Sequence, residues 1–296
     1  MDAYLEIYES PASKKIRAHR LSCFFKFVEN KSICTITHDE FMKYFLHLKA
    51  KDYTLATKQN MWLILRSFVE FIQESTSTFI NFPRKFAKWG NNNKHKKDTA
   101  STIMDKAYID MLLEKAKPLD YKKYIQILLL RDTGMNISEL VTIKTTTMDD
   151  GKVLSLGVNL QDRFVITGID PGAQKHARTG PILYFFSKET QRELARYLNA
   201  RSKVDTSNPY LFTSNGKLQH EQTRNIELFV SQIRGDKPIT PHAFRRTINT
   251  LRKNMFNCPL EDREFLLNQK VSMNSEHYTK LSIAERLALY DRYYPF

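Results

Sequence analysis

At 296 residues, with 42% of them apolar, the chain exceeds one typical core and has enough hydrophobic material for two. Lys and Arg outnumber Asp and Glu by 46 to 32, a formal charge of +14, which favours a polyanionic partner, nucleic acid first. The three cysteines, Cys23, Cys34 and Cys258, form no C-x-x-C pair, which excludes a disulfide framework and points to a reducing compartment where they serve as small buried hydrophobes. The first residues have neither a basic n-region nor an apolar h-region. No apolar run approaches the roughly 20 residues of a membrane span, so a cytoplasmic protein is expected.

Ser13 to Val28 carries Ile16, Leu21, Phe24, Phe25 and Phe27 on a helical pattern. Thr37-His38-Asp39-Glu40 is a capping signature ahead of Phe41, Tyr44, Phe45 and Leu48, and a third pattern runs from Leu55 through Trp62, Leu65, Phe68, Val69 and Ile72. These predict a helical-bundle domain over 1–90, its aromatics in the core and Lys14, Lys15, Arg17, Arg20, Lys49, Lys51, Lys58 and Arg66 at the surface. Gly90 to Asp98 holds no hydrophobic residue and is dense in turn formers and positive charge. It reads as a basic linker over 91–102 in which Lys94, Lys96 and Lys97 can follow a phosphate backbone.

Beyond it, Ile103 to Glu114 and Lys122 to Asp132 are predicted helices, with Gly134 as a C-cap or turn. The period then changes. Val153 to Leu156, Arg163 to Ile166 and Gly180 to Phe185 are β-rich, and an Asp170-Pro171-Gly172 turn joins the last two into a small antiparallel sheet. Helices resume over 188–198, 219–233 and from Pro241. The domain over 103–296 is therefore mainly α with a small antiparallel β-sheet, an α+β arrangement. Its tail, from about 281, contains an amphipathic helix over 282–290 and ends in Tyr293-Tyr294-Pro295-Phe296. It can dock on an adjacent subunit or fold back on its own, and the sequence does not separate these.

Chemistry concentrates near the C-terminus. In Pro241-His242-Ala243-Phe244-Arg245-Arg246-Thr247 a His and an Arg three residues apart share one helix face and can grip one phosphate. Tyr278 lies in a polar segment, unlike a core tyrosine, and a phenol so placed can attack that phosphate. A guanidinium matches the paired oxygens of the charged intermediate, the role expected of Arg245. His242 either binds the same phosphate, accepts the phenolic proton, or caps the helix after Pro241. Tyr290, Tyr293 and Tyr294 are the competing phenols, and His277 beside Tyr278 points elsewhere on a helix.

In order and spacing these residues resemble the tyrosine site-specific recombinases, or phage-type integrases, over nearly the whole chain. Thr133-Gly134-Met135-Asn136-Ile137-Ser138-Glu139-Leu140 is similar to that family's Thr-Gly-x-Arg-x-Ser-Glu-Leu segment. His242 and Arg245 match its His-x-x-Arg pair, Tyr278 sits where its nucleophile sits, and Leu266-Leu267-Asn268-Gln269 resembles its Leu-Leu-Gly-His segment. The resemblance implies a C-shaped clamp on double-stranded DNA, a covalent 3′-phosphotyrosine, and a homo-tetramer on two duplexes. It implies no cofactor and no metal, in keeping with the lack of a P-loop or zinc-spaced Cys/His cluster in the sequence. It also assigns Lys175, on a hairpin, the proton for the leaving 5′-oxygen, with His176, Arg178 and Arg246 near DNA.

Two positions depart from the pattern. Asn136 stands where the family has its first catalytic Arg, and Gln269 where it has His or Trp. Losing one preorganised donor costs about 10² to 10³ in rate, and a charged one at least that. Arg131, five residues earlier and about 140° away on a helix, does not fill the gap. Three accounts stay open: a substitution that traps a DNA complex, a slower enzyme drawing its charge from Lys144 or Arg163, or a protein that binds DNA without cutting it. Glu139 is either a positioning group or a helix-surface acid. The alternative function is a DNA-binding architectural or regulatory protein on the same scaffold, with a type IB topoisomerase-like relaxation activity as a third possibility.

Overall fold

The computed structural model describes residues 1–8, 10–83, 102–144, 157–167, 182–203, 208–214, 219–269 and 281–296. The chain divides into two compact units, Met1–Lys97 and Asp98–Phe296.

The first unit is helical: α1 (Asp2–Glu6), α2 (Pro11–Phe27), α3 (His38–Ala50) and α4 (Leu55–Thr76). Capping sets its boundaries. Ser10 precedes Pro11 at the start of α2, and Thr54 Oγ1 accepts the Thr57 N–H ahead of α4. At α3 the predicted capping box forms, Glu40 Oε2 accepting the Thr37 N–H at 2.9 Å and Thr37 Oγ1 accepting the Glu40 N–H at 3.3 Å. The core is aromatic, as predicted: Phe24 stacks on Phe41 at 5.6 Å, and Phe45 meets Trp62 edge-on at 5.5 Å.

Several finer expectations are corrected here. Ile16 is 50% exposed and Phe27 36%, because the buried stripe of α2 runs through Leu21, Phe24, Phe25 and Val28 at helical spacing and leaves both outside it. Lys58 is buried rather than at the surface. Its Nζ donates to the Lys49 carbonyl at 2.8 Å, in the last turn of α3, where a carbonyl lacks a helical partner. Of the cysteines only Cys258 is buried; Cys34 is exposed and Cys23 half-buried.

The second unit comprises α5 (Lys106–Leu119), α6 (Tyr121–Thr133), α7 (Ile137–Val141), β1 (Val158–Asn159), β2 (Phe164–Thr167), β3 (Ile182–Phe185), α8 (Lys188–Ser202), α9 (Thr223–Ile233), α10 (His242–Phe256), α11 (Leu260–Leu266) and α12 (Ile283–Arg292). The first of these starts at 106 rather than 103 because Asp105 caps it, accepting the Tyr108 N–H at 2.8 Å. The strand expected over 153–156 and the turn at Asp170-Pro171-Gly172 lie outside the described residues, as does the linker over 91–101. The sheet is antiparallel in the order β1-β2-β3, pairing Val165 with Val158 and with Tyr184.

Alternation splits the sheet between two cores. Val165, Ile182 and Tyr184 join the large helical core, while Phe164, Ile166 and Phe185 meet Leu266 and Tyr290. In this single chain the tail packs on its own unit. Tyr290 is buried, Arg163 Nη2 donates to Asp291 Oδ2, and the Tyr294 hydroxyl donates to Asp132 Oδ1 at 2.7 Å. Asp132 also pairs with Arg131 at 2.7 Å and accepts the Ser187 N–H at 2.8 Å, so one carboxylate ties α6, the start of α8 and the tail together. Among the described residues no helix is long and apolar enough to cross a membrane.

Candidate active site

The site begins where α6 stops. Gly134 takes a left-handed φ of +62° and donates its N–H to Leu130, the predicted C-cap. Space demands glycine as well. A Cβ there would lie 2.8 Å from Leu267 Cδ2 and 2.9 Å from Ile248 Cγ2. This lets α10 and the end of α11 close on the turn.

Arg245, half-buried on α10, uses that closeness. Its Nη1 donates to the Gly134 carbonyl at 2.8 Å and its Nη2 to the Leu267 carbonyl at 2.6 Å. Three segments read separately in the sequence, around 134, 245 and 267, therefore converge on one guanidinium. Two of its five donors are fixed on carbonyls, which aims the fork while leaving donors for a ligand.

Asn136 is the half-buried N-cap of α7, its N–H donated to Glu139 Oε2 at 2.9 Å. Glu139 is buried and also accepts the Tyr184 hydroxyl at 2.9 Å, so it is not the helix-surface acid of the second expectation. Tyr184 went unnoticed in the sequence. Burial, then the Glu139 charge, raises its pKa, while nearby Arg245 opposes them, so the phenol stays protonated and bridges the strand to the site. Its signal was a lone polar tip inside the apolar strand Ile182-Leu183-Tyr184-Phe185.

His242 opens α10, exposed, one turn before Arg245; Arg246 is half-buried, its buried Nε without a partner. Gln269 is exposed just past Leu267, its N–H donated to the Glu264 carbonyl at 2.8 Å. Asn268 before it has a positive φ and donates Nδ2 to the Leu183 carbonyl at 2.8 Å. Tyr278, Lys175, His176, Arg178, Lys94, Lys96 and Lys97 lie outside the described residues.

Neither a protein-family model nor a curated protein matches the sequence. Solved structures do match the fold. The Tn1549 transposon integrase in complex with transposon right-end DNA is similar at a TM-score of 0.62 and 17% identity, over 95% of this chain and 93% of that one. XerH site-specific recombinase bound to palindromic difH substrate gives 0.62 and 15% over 94% and 76%, and a lambda integrase dimer on a COC′ core site gives 0.60 and 12% over 91% and 93%. The chain has the tyrosine-recombinase fold.

Within the tyrosine-recombinase fold, of the three alternative phenols Tyr290 is buried and Tyr294 half-buried, and the alternative cations have contacts of their own. Tyr290 and Tyr294 have pKa values pushed up, first by burial and then by the Asp132 charge, which makes both poor nucleophiles. Arg131 is buried and paired with Asp132 and Glu189. Arg163 is held by Asp291 of the tail, and Lys144 sits 5.7 Å from the centroid of the Tyr210 ring.

Proposed function

We propose that the chain is a site-specific DNA recombinase or integrase that acts through a covalent 3′-phosphotyrosine. The observation that carries this is the combination of the tyrosine-recombinase fold with an Arg245 guanidinium that is fixed by the carbonyls of Gly134 and Leu267 and has donors left for a phosphate. In this account the Tyr278 oxygen attacks the phosphorus, giving its proton to His242 or another base. A Tyr–O–P bond forms, the bond from phosphorus to the 5′-oxygen breaks, and Lys175 protonates that oxygen. The 5′-hydroxyl of a second duplex reverses the step, so the bond energy is conserved. Gln269 and Asn136 supply neutral hydrogen bonds beside the same phosphate, and Arg246, Arg178, His176, Lys94, Lys96 and Lys97 contact the DNA. Working on two duplexes, the chain assembles as a homo-tetramer and is a cytoplasmic, DNA-associated protein. The net charge of +14 and neighbours of the same fold that were solved with DNA support this partner.

Asn136 favours the second reading, a DNA-binding architectural or regulatory protein, because the residues that could supply the missing charge, Arg163 and Lys144, are engaged elsewhere. A nicked suicide duplex, built from the DNA flanking the coding sequence, separates the two on a denaturing gel. A DNA-linked species that vanishes in Tyr278→Phe and increases about 10²-fold in rate in Asn136→Arg is the expected result. Tight binding without adduct in both the native chain and Asn136→Arg would leave the binder.

A further inference from the structure

A cavity of about 20 Å³ lies among α10, α12 and the tail-facing side of the sheet. Thr133, Leu183, Phe185, Arg252, Arg286 and Tyr290 are in its wall. Two of these side chains are unsatisfied. Arg252 is fully buried and none of its three guanidinium nitrogens makes a hydrogen bond, and the buried Tyr290 hydroxyl makes none either. The Arg252 guanidinium carbon sits 5.9 Å from the Tyr290 ring centroid, a cation–π contact that uses no N–H donor. Burial lowers the pKa of Arg252, to about 10, so the group is still a cation at neutral pH.

Its counter-charge is missing. Asp132, whose field reaches Arg252, is already engaged by Arg131, Ser187 and Tyr294. A second guanidinium, Arg286, faces the same space, its Nε donating to the Leu281 carbonyl at 3.0 Å. A buried, uncompensated guanidinium is strongly unfavourable. A water molecule would accept from it but bring two more protons to a wall already rich in donors, and it would leave the charge unbalanced. An anion meets both needs, since it accepts from the guanidinium and balances its charge.

We propose that Arg252, Arg286 and Tyr290 form a binding site for one small inorganic anion such as a halide, between α10 and the C-terminal helix α12. Because the tail helix supplies part of the wall, occupancy stabilises its docked position by linkage. The site is separate from the Arg245 assembly and stands whether or not the recombinase reading holds.

Two measurements on the full chain test it. Crystals grown in sodium bromide should show an anomalous peak within hydrogen-bond reach of the Arg252 guanidinium. Thermal melts at constant ionic strength should rise by roughly 2–4 °C when bulky gluconate is replaced by chloride. In Arg252→Met the chloride shift should disappear, and in Tyr290→Phe, which keeps the volume, it should shrink. Water-only density with equal melting in the two salts would overturn the proposal, as would a full chloride shift retained in Arg252→Met. Should Arg252→Met fail to fold, the bromide map and the Tyr290→Phe melt still decide.

Discussion

The two units are held together by different physics. Among the described residues the first buries an aromatic core around Phe24, Phe41, Phe45, Trp62 and Phe68, with one buried cation, Lys58, answered by a helix-end carbonyl. The second interleaves its apolar core with buried charge: Lys123 against Glu221, Arg131 against Asp132, Glu139 beneath Tyr184, and Arg252. Apolar contact is non-directional and tolerates small shifts, whereas an ion pair or a carbonyl-bound guanidinium fixes two segments in register. The unit that holds the Arg245 assembly uses the second device.

The contrast is sharpest at Asp132. Asp132→Asn leaves Arg131 buried with only the half-exposed Glu189, and should cost about 3–5 kcal/mol. Trp62 is buried in the core of the first unit, so with Trp89 replaced by Phe the fluorescence reads that unit. The expected result is lost hydrogen-exchange protection in α6 and α8 with an unmoved fluorescence midpoint; equal losses in both would break the comparison. The acid response should be led by the buried carboxylate, since the depressed carboxylate of the first unit, Glu40, sits in a surface ion pair with Lys31. Burial alone would raise the pKa of Asp132, but the Arg131 charge and its hydrogen bonds outweigh burial and hold it below the ordinary value. A carboxylate depressed in the folded state adds stability above the unfolded pKa of about 4, and loses it as pH falls through the folded value. The second unit should therefore lose its stability first below about pH 4.

A smaller effect is expected at the junction of fold and site. Gly134→Ala puts a Cβ into the Leu267 and Ile248 contacts at a positive φ, and should cost about 2 kcal/mol. By displacing the carbonyl that anchors Arg245, it should slow any phosphotyrosine formation more than it weakens DNA binding in a filter assay. The smallest change belongs to the first unit. Thr37→Ala removes one half of the α3 capping box and should lower the fluorescence-detected stability by about 1 kcal/mol, with no dependence on pH between 5 and 8.

What was legible in the sequence was local. The Thr37 capping box, the Gly134 stop and the aromatic stripes of α3 and α4 follow from side chains acting on their own backbone, or from one repeated period, and all appear as predicted. Lys58 was misread because its partner is a backbone carbonyl, to which the sequence gives no clue. The buried charges were hidden by distance: Lys123 meets Glu221 across 98 residues and Tyr294 meets Asp132 across 162. At the site, the convergence of the segments around 134, 245 and 267 was legible only as an ordered set of motifs. Tyr184, reached through strand register and a buried glutamate, carried no motif at all.

The double grip of Arg245 has a consequence for how this protein's history can be read. Architecture alone favours a glycine at 134, where a Cβ would be crowded at a positive φ, and a forked cation at 245, where two carbonyls wait. A descendant that had given up cutting DNA would keep both simply to remain folded. On the proposed mechanism it is the disappearance of the phenol at 278, and not the survival of the guanidinium, that would mark the end of the chemistry.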